Sequence, residues 1–248
     1  VITTKKGKVG RVSLTVSSNT EMLNPFVMPD FQNRYGTSGT DASWGKKLND
    51  ANYRGYDPKD DYMQTGIIGT ETVTLSTGTE KNQTYASAAA VNSKGIVPNN
   101  KYNRYNFTVR NTTTFLDDKM TLDFGASYIL QNDQNMTNQG TYNNPLVGAY
   151  LFPRSNDWSD ISMYERYDAA RKIYTQYWPV GDEGMVMQNP YWIAYRNLRL
   201  NQKKRYMLSA QLSYDITDWL NISGRVRVDN THTKYEQKLY ASSNLTIT

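Results

Sequence analysis

The stretch Arg205-Tyr206-Met207-Leu208-Ser209-Ala210-Gln211-Leu212-Ser213-Tyr214-Asp215-Ile216-Thr217 alternates almost without fault. One parity carries Tyr206, Leu208, Ala210, Leu212, Tyr214 and Ile216, and the other carries Arg205, Ser209, Gln211, Ser213 and Asp215. Successive side chains of a strand point to opposite sides of a sheet, so this period of two marks a strand with one apolar and one polar face.

Three other segments repeat the pattern. Residues 103–116 set Tyr105, Phe107, Val109 and Phe115 against Arg104, Asn106, Thr108, Arg110, Thr112 and Thr114, with Asn111 and Thr113 as blemishes on the apolar side. Residues 119–131 set Met120, Leu122, Phe124, Ala126, Tyr128 and Leu130 against Thr121, Asp123, Gly125 and Ser127. Residues 220–229 set Leu220, Ile222, Val226 and Val228 against Asn221, Ser223, Arg225, Arg227 and Asp229. Weaker alternation runs over 11–17, 70–78 and 81–92, which predicts seven strands, or eight if 234–240 forms another.

The connections alternate in length. Long ones are expected over about 18–69 and 132–204, with a medium one through Lys94-Gly95-Ile96-Val97-Pro98-Asn99-Asn100. Tight ones fall at Gly78-Thr79-Glu80, Asp117-Asp118 and Asp218-Trp219. An antiparallel up-and-down meander with short turns at one end and long loops at the other is the plan of a transmembrane β-barrel. A strand of about 12 residues rises roughly 40 Å and, tilted near 45°, covers about 28 Å, enough for an apolar band of about 25 Å. In the four strong strands every charged side chain falls on the polar parity, so that side is expected to face a lumen and the other to face lipid. A large soluble β-domain would alternate equally well. Phe115, Tyr214 and Trp219 at the turn ends, and Tyr102, Tyr105, Tyr128 and Tyr206 toward the loop ends, suggest two interfacial girdles.

Inside the second long loop, residues 159–175 show three- and four-residue steps (Ile161, Tyr164, Tyr167, Arg171, Tyr174) after a potential cap at Asp160, which predicts a short helix. Trp44, Trp158, Trp178 and Trp192 all lie in connections. Flat aromatic faces stack on sugar rings and anchor protein interfaces, so these four are the candidate ligand-binding residues; packing the loops together would use them as well.

Composition removes several chemistries. The 248 residues hold no Cys and one His, so disulfides, thiol nucleophiles and Cys/His zinc sites are excluded. That residue, His232, is expected in a solvated loop. Gly45-Lys46-Lys47 has the wrong spacing for a P-loop and no Ser or Thr after the lysine. Nothing selects a general acid and base, so no catalytic residue, metal site or cofactor is expected. The net charge of +5 arises from 28 basic and 23 acidic residues that are interspersed, which gives no nucleic-acid stripe. No apolar run approaches the 18 residues of a membrane helix, although barrel strands need none.

Several motifs occur in a fixed order: Val1-Ile2-Thr3-Thr4-Lys5-Lys6-Gly7, Pro29-Asp30-Phe31-Gln32-Asn33-Arg34-Tyr35-Gly36, Ser43-Trp44-Gly45, Gln64-Thr65-Gly66, Gly78-Thr79-Glu80-Lys81, Lys94 to Asn100, and Asn189-Pro190-Tyr191-Trp192. The set resembles the SusC/RagA family of TonB-dependent outer-membrane transporters. The resemblance implies that residues 1–10 end a plug domain and that 11–248 form the N-terminal part of a 22-stranded barrel. It further implies import of an oligosaccharide, or in some members a peptide, with a SusD-like surface lipoprotein and the TonB complex as partners. A surface or soluble carbohydrate-binding or adhesion protein is the alternative. The chain opens on Val1 and reads as a piece of a longer protein, since seven strands in lipid leave two unpaired edges.

Overall fold

The computed structural model describes residues 9–10, 12–37, 44–49, 51, 56–137, 143–179 and 188–243. Its main body is one antiparallel sheet of seven strands: β1 (Ser13–Leu23), β2 (Gly66–Gly78), β3 (Asn82–Lys94), β4 (Lys101–Phe115), β5 (Met120–Gln134), β8 (Asn197–Thr217) and β9 (Leu220–Leu239). The order across the sheet is β1-β2-β3-β4-β5-β8-β9, and every neighbouring pair is antiparallel. This is the expected meander. β1 and β9 leave its two edges open, so the sheet is a segment of wall and not a closed barrel.

The loops are shorter than the apolar alternation alone suggests, because the strands run on past it. The first long connection spans 24–65 instead of 18–69, and the second spans 135–196 instead of 132–204. Residues 234–240 do not make an eighth strand, since the ladder of β9 continues unbroken to Leu239. For the same reason His232 stands on a strand, opposite Lys204, and not in a loop. Backbone pairing needs no apolar side chains, so it persists where the faces have become polar.

The register carries the apolar parity across the sheet as continuous rows. One row reads Leu75, Ala86, Val109, Ala126, Leu208 and Val228, and another reads Val73, Ala88, Phe107, Tyr128, Tyr206 and Asn230. The opposite parity is concave. It encloses a cavity of about 790 Å³ whose lining includes Ser87, Arg110, Asp123, Arg205, Arg227 and Asp229. On the convex side Phe107, Leu212, Val226 and Val228 remain exposed. Among the described residues, no buried hydrophobic side chain belongs to the sheet; Tyr56, Tyr62, Phe152, Ile161, Trp192 and the rest all lie in the connections. The sheet therefore has no protein core on its apolar side.

The turns also record the strand tilt. Asn82 pairs with Thr113, Phe115 with Met120, and Met120 with Tyr214, so each hairpin turn lies two or three residues further along the ladder than the one before it. With strands about 4.8 Å apart and about 3.3 Å per residue, that stagger is a tilt of roughly 40°, within the range of membrane barrels. Measured from each turn, the apolar run ends at one height on three strands. Phe115 to Tyr105, Met120 to Leu130 and Ile216 to Tyr206 are equal spans, and the next outward residues are Asn103, Asn132 and Lys204. Ten residues at that tilt cover about 25 Å, the height of an outward apolar band.

Two details depart from the expected pattern. Tyr102 shares the parity of Arg104 and faces the concave side, so it belongs to no outer girdle, whereas Tyr105, Tyr128 and Tyr206 do stand on the outer face. Glu71 of β2 lies on the convex side between Ser18 and Ala90, toward the loop end, where an acidic residue costs less than a basic one would.

An arginine at Val226 or Leu212 should destabilise the full-length protein refolded in lipid vesicles by about 2–4 kcal/mol in denaturant unfolding. Arginine at the concave-facing Ser213 should cost far less. Equal losses at the three positions would mean that hydrocarbon does not touch the convex face.

Candidate functional site

The two long connections fold onto each other at the loop end of the sheet and form a cap with its own core. In the first lies α1 (Pro58–Asp61); in the second lie α2 (Pro145–Leu151), α3 (Trp158–Ser162), the hairpin β6 (Glu165–Asp168) and β7 (Ile173–Gln176), and α4 (Pro190–Arg196). Each helix starts at an Asp or Asn whose side chain accepts from a backbone N–H of its first turn: Asp57, Asn144, Asp157 and Asn189.

The helix expected over 159–175 stops at Ser162, and its cap is Asp157, not Asp160. Beyond it the chain turns into the β6–β7 hairpin. Asp168 Oδ1 accepts the amides of Ala170 and Arg171 and so closes the turn. Tyr167 packs edge-on against Tyr174 across the pair, and Arg196 grips Glu165 with Nε and Nη2 at 2.6 and 2.9 Å. The three- and four-residue spacing of the tyrosines belongs to this hairpin and to no helix.

Aromatic rings fill the cap. Trp158 stacks on Tyr56 at 4.5 Å and 11°, meets Phe152 and Tyr62 edge-on, and donates Nε1–H to the Tyr191 hydroxyl at 3.3 Å. Burial pushes the Tyr62 and Tyr191 hydroxyls above their ordinary pKa, so both stay protonated in any physiological medium. Trp178 is half-buried against Phe152. Trp192 is fully buried, with its Nε1–H on Ser243 Oγ at 3.0 Å and Tyr240 edge-on, and offers no free face. Trp44 alone of the four is widely exposed, 5.6 Å from Tyr35. The structure thus gathers Trp158 and Trp178 around one cluster and sets Trp44 and Trp192 apart from it.

Side-chain amides hold the cap together and fasten it to the sheet, and Gln64, Asn99 and Asn189 among them lie in the motifs quoted above. Asn189 is fully buried; its Nδ2 donates to Ile161 O at 2.7 Å and Tyr177 O at 3.0 Å, and its backbone N–H donates to Gln176 Oε1. Asn99, at φ 59°, and Asn135, at φ 53°, both donate to Ala194 O of α4. Gln64 donates to Gly95 O and Val97 O. Where the two loops cross, Gly36 lies so close to Ser155 that a Cβ there would sit 2.8 Å from its side chain. Spacing rules give no sign of these roles, because an amide fastener has no period.

Below the cap, the concave wall is polar and basic. Arg110 pairs with Asp123 through Nε and Nη2 at 3.0 and 2.6 Å, and Arg205 pairs with Asp229 at 2.8 and 2.5 Å. Arg225 donates to Gln211 Oε1. On the concave parity of the strands Arg104, Arg110, Arg199, Lys203, Arg205, Arg225 and Arg227 outnumber Glu21, Asp123, Asp133, Asp215 and Asp229 by two, so the wall carries a small positive surplus.

A convex apolar band, a concave charged wall and an elaborate cap at one end together define a fold that known structures can identify. The chain has the fold of a RagAB barrel segment. It superposes on a chain of the RagAB peptide importer in its closed-closed state with a TM-score of 0.60 at 15% identity. For the open-open state the TM-score is 0.61 at 14% identity. Both alignments cover 94% of this chain and 29% of the RagAB chain, so the sequence spans under a third of that chain's length. No protein-family model and no curated protein matches it.

Asn189→Ala should leave the carbonyls of Ile161 and Tyr177 without donors and cost the cap about 1–3 kcal/mol. Trp158→Ala should cost about 3–5 kcal/mol. Hydrogen exchange should then rise in 143–179 and 188–196 while β4 and β5 stay protected. Uniform loss of protection would mean that cap and sheet are one cooperative unit.

Proposed function

We propose that this chain is the end of the plug (residues 1–10) and the N-terminal part of the barrel (residues 11–248) of a SusC/RagA-family transporter in the bacterial outer membrane. Residues 1–8 and 11 lie outside the described residues, so the plug assignment rests on the resemblance of Val1 to Gly7. The whole protein would import a nutrient with energy from the TonB complex, and a SusD-like lipoprotein would close over the cap. The observation that carries this reading is the apolar band of about 25 Å on the convex face, with all the elaborate connections beyond one of its rims. The likeness to RagAB chains supports it.

Nothing in the reading calls for catalysis, a cofactor or nucleic acid. Its oligosaccharide cargo is supported by the aromatic loops: the exposed Trp44 offers a stacking face, and Trp158 and Trp178 sit half-buried in the cap. Trp192 would serve by holding α4 in place. A peptide cargo is the second reading, favoured by the neighbours, which are a peptide importer.

Protease added to intact cells should cut within 135–196 before it cuts at the turns near Asp117 or Asp218. The reverse order would invert the orientation and remove the reading. Trp44→Ala should weaken oligosaccharide binding to the purified full-length protein severalfold; unchanged affinity would take Trp44 out of the cargo site.

A further inference from the structure

Arg154, in the turn after α2, is 7% exposed, and its Nη1 has no hydrogen-bond partner. Among the described residues no carboxylate lies within ion-pairing distance of it. Its guanidinium rests on the face of Tyr56, 4.6 Å from the ring centroid, and Tyr56 is itself held by the Trp158 stack. The orientation is therefore fixed from behind. In front lies a pocket of about 280 Å³ lined by Asp30, Phe31, Gln32, Tyr150, Phe152 and Arg154. The Tyr150 hydroxyl on that wall is also buried and without a partner.

An arginine cannot shed its proton, and a buried cation without a counter-charge is costly, so native structures pair such groups. Here Asp57 and Asp61, whose charges reach the flanking tyrosines, and Asp30, which lines the same pocket, form no ion pair with Arg154. A guanidinium held flat and a phenolic hydroxyl, on two residues that line the same pocket, are donor types that receive a carboxylate. The volume suits one amino-acid residue or one sugar ring, at the lower end of ligand pockets. Phe31, whose ring lies 5.2 Å from that of Tyr150, gives the rim an apolar surface for the body of such a group.

We propose that this pocket is a cargo subsite that takes a carboxylate, with Arg154 and Tyr150 as its donors and Tyr56 as a positioning residue. The proposal deepens the import reading and rests on it for the arrival of the cargo from the cap side. Two kinds of cargo present the same chemistry: a short peptide through its C-terminus, and an acidic oligosaccharide through a uronate.

The test is titration of the purified full-length protein in detergent, followed by tryptophan fluorescence, with two matched pairs. One is acetyl-trialanine against its C-terminal amide; the other is trigalacturonate against its methyl ester. In one pair the acid should bind at least about tenfold more tightly than its neutral form, the usual size of a charge-assisted hydrogen bond, and the pair that responds identifies the source. Arg154→Gln should abolish that preference. Tyr150→Phe, which removes only a hydroxyl and keeps the ring contact with Phe31, should reduce it severalfold and leave the neutral form unaffected, and it serves if Arg154→Gln does not fold. No preference for the acid in either pair, absence of binding included, overturns the proposal, as does a preference that survives both substitutions. Cellular uptake of the same compounds separates the two readings: uptake without acid preference removes the subsite and leaves import, whereas acid preference without uptake does the opposite.

Discussion

An unbroken antiparallel ladder is the constraint on which this molecule depends. Across the seven strands of the main sheet each strand exchanges backbone hydrogen bonds with its neighbours, with one irregularity, near Asp215 and Thr217 beside the last turn. Pairing within the sheet is what allows one face to meet a medium that offers no hydrogen bonds. Leu212, Ile222 and Val226 stay exposed on that face, where in the proposed membrane setting hydrocarbon would take the place of a core. The same constraint holds the arginines to the other face, where Asp123, Asp229 and Gln211 receive Arg110, Arg205 and Arg225.

The cap obeys different physics. Its residues pack on each other in ordinary buried clusters, one of Tyr56, Phe152 and Ile161 and one of Tyr62, Met63, Val97 and Ala149, bridged by Trp158. Its helices are too short to be stable alone and are held by side-chain caps and aromatic contacts. Asn99, Asn135 and Gln64 tie these clusters to the strands without a continuous apolar interface.

Much of the wall was legible in the chain and much of the cap was not. Alternation located the strong strands because a sheet with one apolar face keeps parity through Leu208, Leu212 and Val226, and the tight turns at Asp117 and Asp218 fell where the alternation broke. It misjudged where strands end, because polar pairs such as Gln202 with Lys234 continue the ladder with no hydropathy signal. The tyrosines of 164–174 imitated a helix, and the Asp168 turn and the Arg196–Glu165 pair made a hairpin of them. The tryptophans were found as loop residues, yet nothing in their spacing told the exposed Trp44 from the buried Trp192. Arg154 and Tyr150 gave no signal, and Asn189 stood in a recognisable motif that did not reveal its role, since the importance of all three lies in what surrounds them.

The sequence by itself determined the two faces of the wall, the number of its main strands and the end at which its large connections gather. Those properties follow from short-range periodicity, which a sheet imposes at every second residue whatever its partners. Only the tertiary structure decided the tilt, the height shared by Tyr105, Leu130 and Tyr206, and the meeting of Tyr56, Tyr150 and Arg154 from segments some ninety residues apart. Register between strands and packing between loops are relations among distant residues, and no local pattern encodes them.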